Sequence, residues 1–226
     1  FVNAEFANLE LATRNSYEHP DLPWQFHIDM AKQASDESRH IRMLLQLINR
    51  SNEPYTTEVM STLDYEQGYA FHPCDPGSRK ELLWRLLLTQ TFRETGPLDT
   101  FDFEVRRRTY LGQPELVRVF DLLLSDEVYH VKAGLKWSRY LCAGNKQHTM
   151  MSRAIAHAYN AQQTNERRDD FVRAHPSQAI EELRELSALT EELDKSPIQK
   201  TFNRKAYAAA GFTPQEVDQF LAWGYI

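Results

Sequence analysis

The sequence holds only two cysteines in 226 residues, Cys74 and Cys142, and they form no Cys-x-x-Cys pair. That excludes a disulfide-rich secreted scaffold, argues against a zinc ribbon or an iron–sulfur cluster, and makes a reducing cytoplasm the expected compartment. Long apolar runs are missing too. The nearest candidate, Leu82 to Leu88, is interrupted by Arg85 and falls far short of the ~18 residues of a membrane span. There is no excess of basic charge: the formal net charge is −6, and the local patch Arg106-Arg107-Arg108 does not make an electrostatic footprint for nucleic acid. No low-complexity tract occurs. Because the first residue is Phe1 rather than Met, the native start is expected upstream, which leaves a removed targeting segment open.

What is present is a short pattern written twice: Asp36-Glu37-Ser38-Arg39-His40 and Asp126-Glu127-Val128-Tyr129-His130. On a helix, residues three apart share a face, so each Glu and His can aim a carboxylate and an imidazole at one spot. Both copies interrupt an apolar stripe. The second runs Leu116, Phe120, Leu123, Glu127, His130, Gly134, Trp137, Leu141, and the first runs Phe26, Met30, Gln33, Glu37, His40, Leu44, Leu47. Ionised carboxylates at core positions cost several kcal/mol unless paired, protonated or bound to a metal. A buried Glu–His hydrogen bond would explain one copy; two copies at core positions point to a shared metal site.

Four long helices are expected around this pattern. The first runs from about Val2 to Tyr17 and offers two acids: Glu10 shares a face with Phe6, Thr13 and Tyr17, while Glu5 lies near Leu9 and Ala12, and the periodicity leans towards Glu10. A short connection to Pro23 makes the second helix, to about Arg50, its antiparallel neighbour. Residues 51–77 read as a long crossover. Ser78-Arg79-Lys80-Glu81 is a capping box that opens the third helix, whose apolar face reads Leu83, Leu87, Gln90, Glu94, Leu98, Phe101, Val105. Glu104 is the rival to Glu94 but shares its side with Thr100 and Arg108. Gly96-Pro97 should kink this helix. After a tight turn at Leu111-Gly112-Gln113-Pro114 the fourth helix carries the second motif. Glu94 lies about 24 Å before the turn and Glu127 about 18 Å after it, so the two carboxylates should sit at similar height.

The expected fold is therefore all-α, a ferritin-like four-helix bundle over residues 1–145 with a long crossover between helices 2 and 3. Residues 146–226 form a C-terminal helical extension, with charged helices over 149–172 and 177–194 and a final stretch that docks Phe220, Leu221 and Trp223. One Glu from each of helices 1 and 3 and one Glu-x-x-His from each of helices 2 and 4 make the ligand set of the di-iron carboxylate proteins of this bundle class. Hard oxygens with one imidazole per metal suit two iron ions, with manganese as the alternative, and four carboxylates balance two divalent charges. Asp36 and Asp126 are placed to accept the remaining imidazole N–H and fix its tautomer. Tyr129 and Trp137 are read as packing aromatics.

The chain also resembles a ferritin-like bacterial family catalogued as a domain of unknown function. The residues that carry the likeness are Asn8-Leu9-Glu10-Leu11-Ala12, where that family usually writes His-Ile-Glu; Asp29 through Leu44; Arg93-Glu94-Thr95-Gly96-Pro97-Leu98-Asp99; Asp126 through Trp137 and on to Leu141-Cys142; and Phe202-Asn203 with Ala209-Ala210-Gly211-Phe212-Thr213-Pro214. The resemblance covers about residues 5–145 and 200–214 and implies Glu10 over Glu5 and Glu94 over Glu104. Asn8 and Pro97 depart from the family pattern, and residues 146–199 look longer and more charged. The expected ligands are then Glu10, Glu37, His40, Glu94, Glu127 and His130. The expected function is a non-haem di-iron oxidase or oxygenase that uses dioxygen on a small molecule, without nucleic-acid or membrane partners, and with a homodimer as the candidate assembly. A ferroxidase or metal-handling protein and a metal-free helical interaction module are the alternatives.

Overall fold

The computed structural model describes residues 2–50, 74–156 and 197–222, with positions 158, 162 and 173. Among these the chain is all-helical. α1 (Val2–Glu18) and α2 (Trp24–Arg50) form an antiparallel hairpin closed by the short link at residues 19–23, where Leu22 N–H donates to the His19 carbonyl. The crossover expected over residues 51–77 lies outside the described residues except for its last four positions, as do the helix expected over 177–194 and most of that over 149–172. Residues 146–156 are helical. No described helix is long and apolar enough to cross a membrane.

Ser78 caps α3 (Arg79–Arg85) by accepting from Glu81 N–H at 3.1 Å, and the Glu81 carboxylate accepts from Gly77 N–H, so the capping chemistry legible in Ser78 and Glu81 operates. The expected kink takes a different form. Residues Leu86–Arg93 wind as a π-helix, ending where Glu94 N–H donates to the Thr89 carbonyl at 3.0 Å, and α4 (Thr95–Tyr110) restarts immediately. Pro97 sits in the first turn of α4, where a missing N–H costs no helical hydrogen bond. The wider winding also rotates the buried face: Leu82 and Leu86 are fully buried, whereas Leu83 is only half-buried.

Gly112, at φ +66°, makes the turn into α5 (Pro114–Leu141), with Pro114 at its first position. α4 and the π-helix pack along α5, and α5 faces α2. Gly134 is where α5 and the π-helix touch most closely. A Cβ there would lie 2.6 Å from Gln90 Cβ and 3.0 Å from both the Gln90 carbonyl carbon and Thr91 Cγ2. Gly134→Ala should therefore destabilise the protein by about 1–3 kcal/mol, since backbone rather than a flexible tip must yield. A thermal melt unchanged from the native protein would show that the π-helix shifts freely.

The interior is layered. Val2, Leu44, Phe101, Phe120 and Leu123 form one apolar cluster, and Leu22, Phe26, Met30, Leu82, Leu86, Ala133 and Trp137 form another. The two motifs lie between them along α2 and α5. A third cluster docks the C-terminal α6 (Arg204–Ala209) and α7 (Pro214–Ala222) against Leu98, Val131 and Leu135 through Tyr207, Ala210, Phe212 and Val217. Asn203 N–H and Tyr207 O–H both donate to the buried Asp99 carboxylate, at 2.6 and 3.3 Å, fixing this tail beside the start of α4. Leu221 packs on the cluster as expected; the side chains of Phe220 and Trp223 lie outside the described residues.

Candidate metal centre

α2 and α5 present their motifs at the same level. Both imidazoles are wholly buried, with ring centroids 5.9 Å apart. His40 Nδ1 lies 3.3 Å from Glu5 Oε2, 3.3 Å from Glu37 Oε2 and 3.8 Å from Glu127 Oε1, while His130 Nδ1 lies 3.4 Å from Glu37 Oε1 and 3.2 Å from Glu127 Oε2. Glu37 and Glu127 each turn one oxygen towards each imidazole. Donor atoms of Glu5, Glu37, His40 and Glu127 fall within 4.8 Å of one another, and so do those of Glu37, Glu94 and His130. The buried cluster could hold a metal ion.

The far side of each imidazole is held by the other motif. His40 Nε2 pairs with Asp126 Oδ2 at 3.0 Å, and His130 Nε2 with Asp36 Oδ2 at 3.4 Å. With Nε2 carrying the proton, Nδ1 turns its lone pair to the carboxylates, the tautomer a metal requires. Arg39 Nη2 ties the two aspartates together, at 3.0 Å from Asp36 and 2.5 Å from Asp126, and Lys32 Nζ reaches Asp36 at 2.5 Å. Asp29 anchors α2 to α5 with its carboxylate accepting from Tyr129 O–H at 2.9 Å, Trp137 Nε1 at 2.8 Å and Lys136 Nζ at 2.7 Å.

The chemistry of the donor set suits a bound cation. Neither oxygen of the fully buried Glu37 has a hydrogen bond, despite the nearby imidazole nitrogens, an arrangement a bare carboxylate does not tolerate. Burial, with repulsion from neighbouring carboxylates, pushes Glu37, Glu94 and Glu127 well above the ordinary carboxyl range. Burial alone would lower His40, but Asp126, Glu37 and Glu5 outweigh it and push the imidazole up to about 12. Asp36 goes the opposite way. Its burial is outweighed by His130 and Lys32, which hold it at about 2. The cluster is crowded with groups that need either protons or cations.

Of the residues expected as ligands, Glu37, His40, Glu94, Glu127 and His130 are brought together, with Asp36 and Asp126 behind the imidazoles. Glu10 is not. It is half-buried and belongs to neither group, and Glu5, buried at 4% exposure, is the α1 acid that lies in one of them. The aromatic residue that made the Glu10 face look internal misleads: Tyr17 is 85% exposed, and the buried stripe of α1 runs through Glu5, Ala12 and Asn15 to His19. Hairpin height would have found Glu5. It lies thirteen residues before Glu18, and Glu37 lies thirteen after Trp24, about 20 Å from the link on either helix. Glu5→Ala should weaken metal binding at least tenfold and Glu10→Ala should leave it within twofold, by competition against a chromophoric chelator; the reverse order would restore Glu10.

The profile of the family described as "Protein of unknown function (DUF455)" matches residues 1–218. The chain belongs to this family. The match extends well beyond the motif-bearing stretches and runs through the docked tail. No curated protein and no solved structure matches the chain.

Proposed function

We propose that this member of the family is a ferritin-like, non-haem di-iron oxidoreductase, an oxidase or oxygenase acting on a small molecule. In this reading α1, α2, the continuous stretch from α3 to α4, and α5 are the four helices of the bundle. Glu5, Glu37, His40, Glu94, Glu127 and His130 would hold the ions, with Glu5 and His40 in one half of the cluster, Glu94 and His130 in the other, and Glu37 and Glu127 facing both imidazoles. The observation that carries it is Glu37, buried with both oxygens unsatisfied and one oxygen directed to each imidazole. Four carboxylates balance two divalent charges, and the oxygen-rich donors with a single imidazole each favour iron, with manganese as the alternative. Two ferrous ions bound by these residues would supply electrons for the reduction of dioxygen.

The chain's own part is to place and protect. The apolar clusters above and below exclude water from the cluster. Asp36 and Asp126 hold the imidazoles in one tautomer, and Arg39 with Lys32 keeps those aspartates charged. Asp29 fixes the register of α2 on α5 through three donors from α5.

Anaerobic titration of the metal-free protein with ferrous ion, followed by exposure to air, tests the reading. Saturation at two ions per chain, then oxidation of both with a change in the visible spectrum, is the expected result. No uptake, or one weak equivalent insensitive to Glu37→Ala, would leave the paired motifs structural.

A further inference from the structure

The two halves of the cluster are not alike. His40 Nδ1 has three carboxylates within 3.8 Å, Glu5, Glu37 and Glu127, whereas His130 Nδ1 has two, Glu37 and Glu127, with Glu94 joining that half at longer range. The His130 half is bordered by two buried amides. Gln33 Nε2 donates to Glu94 Oε1 at 3.4 Å, and Gln90 Nε2 donates to Gln33 Oε1 and to Met30 Sδ, the latter at 3.6 Å. Every link of this relay points its donor towards the carboxylate, so the chain ends on one unfilled acceptor. Gln90 Oε1 has no hydrogen-bond partner, although the residue is 1% exposed. Leaving such a group unmet inside a helical interior is costly, and native structures rarely do so without a ligand or water to meet it.

The position of Gln90 is also unusual. It lies in the π-helix four residues before Glu94, with its backbone pressed into the notch at Gly134. Widened turns of this kind place side chains four and five apart on a common face, and they concentrate at functional sites. Gln90 and Glu94 thus present to the same side of the interior, and the notch keeps Gln90 from retreating.

We propose that the ion held by Glu94 and His130 is the one that takes an exogenous ligand, and that Gln90 Oε1 accepts a hydrogen bond from a hydroxyl or amine on that ligand. The inference rests on the metal-centre reading and narrows its substrate class: a small molecule carrying a hydrogen-bond donor beside its metal-binding atom. An apolar substrate would leave Gln90 as unmet as it is now. A site with only acceptors facing it would set lone pair against lone pair.

Cobalt(II), which does not react with air on this timescale and absorbs in the visible, serves as the probe ion. Acetate and glycolate share a metal-binding carboxylate and differ by one hydroxyl. With two cobalt ions per chain, glycolate should perturb the spectrum at about tenfold lower concentration than acetate. Gln90→Leu should remove that preference while keeping two ions bound, which also shows that the variant folds. Glu94→Gln should abolish the glycolate response and Glu5→Gln should retain it. Failure of the native protein to bind cobalt would overturn the metal centre and this inference together. Two bound ions with no glycolate preference, a preference that survives Gln90→Leu, or a response lost with Glu5 rather than Glu94 would overturn this inference alone.

Discussion

Glu37→Gln should reduce metal binding from two ions per chain to none while raising the melting temperature of the metal-free protein at neutral pH. Glu37 belongs to both donor groups and turns one oxygen to each imidazole, so its loss removes a donor from each half at once. The neutral amide fills nearly the same volume but relieves a buried group whose oxygens have no hydrogen bond and whose neighbours are three further carboxylates. Removing a metal-facing carboxylate lowers affinity by more than the 10–100-fold typical of supporting residues. Glu104→Ala is the control. Glu104 is half-buried, pairs with Arg107 at 3.4 Å and Arg108 at 2.8 Å and belongs to neither donor group, and its loss should keep both ions. Metal analysis and thermal melts read both effects, and equal metal loss in the two variants would sink the assignment.

The metal-free protein should also lose stability as pH rises, the reverse of what a paired surface carboxylate produces. In the folded chain Glu37, Glu94 and Glu127 keep their protons well above 4.5, whereas unfolding lets them ionise near that value. Raising pH above 4.5 therefore favours the unfolded chain until the folded groups ionise too. The imidazoles act in the same direction. His40, raised to about 12, and His130, also raised, stabilise the fold fully below 6.5 and progressively less above it. Asp36, Asp126 and Glu5 are lowered, so their contribution is complete at neutral pH and lost only in acid. Between about pH 5 and pH 8 the metal-free melting temperature should fall by roughly 5–10 °C, since 1 kcal/mol moves a domain of this size by about 2–4 °C. Divalent metal should reverse the trend, because it replaces the protons and binds more tightly as they leave. A metal-free melting temperature that is flat or rises over this interval would mean the carboxyls are already ionised.

Much of this was legible because chemistry and periodicity coincided. In α2 and α5 the motifs occupy stripes whose other members are large and apolar, so Glu37, His40, Glu127 and His130 could be placed inside from spacing alone. α1 lacked that contrast. Its buried stripe carries the polar Glu5 and Asn15 and continues to His19 in the link, while Tyr17, grouped with the Glu10 face, is solvent-exposed. Polar residues serving a buried site invert the signal on which burial is inferred. The π-helix was invisible for another reason: Gly96 and Pro97 announced a break, but the proline only requires that a new first turn begin near it, and the change of winding falls in the eight residues Leu86–Arg93 before. The crossing of the Asp–His pairs and the part played by Arg39 depend on contacts between residues 86 and 94 apart, which no local pattern carries.

That crossing makes the cluster a joint product of two hairpins. Each imidazole sits on one hairpin and takes its orienting aspartate from the other, and Arg39 closes the link. A chain with only α1 and α2 assembled would offer Glu5, Glu37 and a His40 free to rotate, a weak and undiscriminating chelator. On the proposed metal-centre reading, tight metal uptake would report that the halves have found one another in register, and the ions would act as a proof of completed assembly. Misregistered association would be left with buried, uncompensated acids and would come apart.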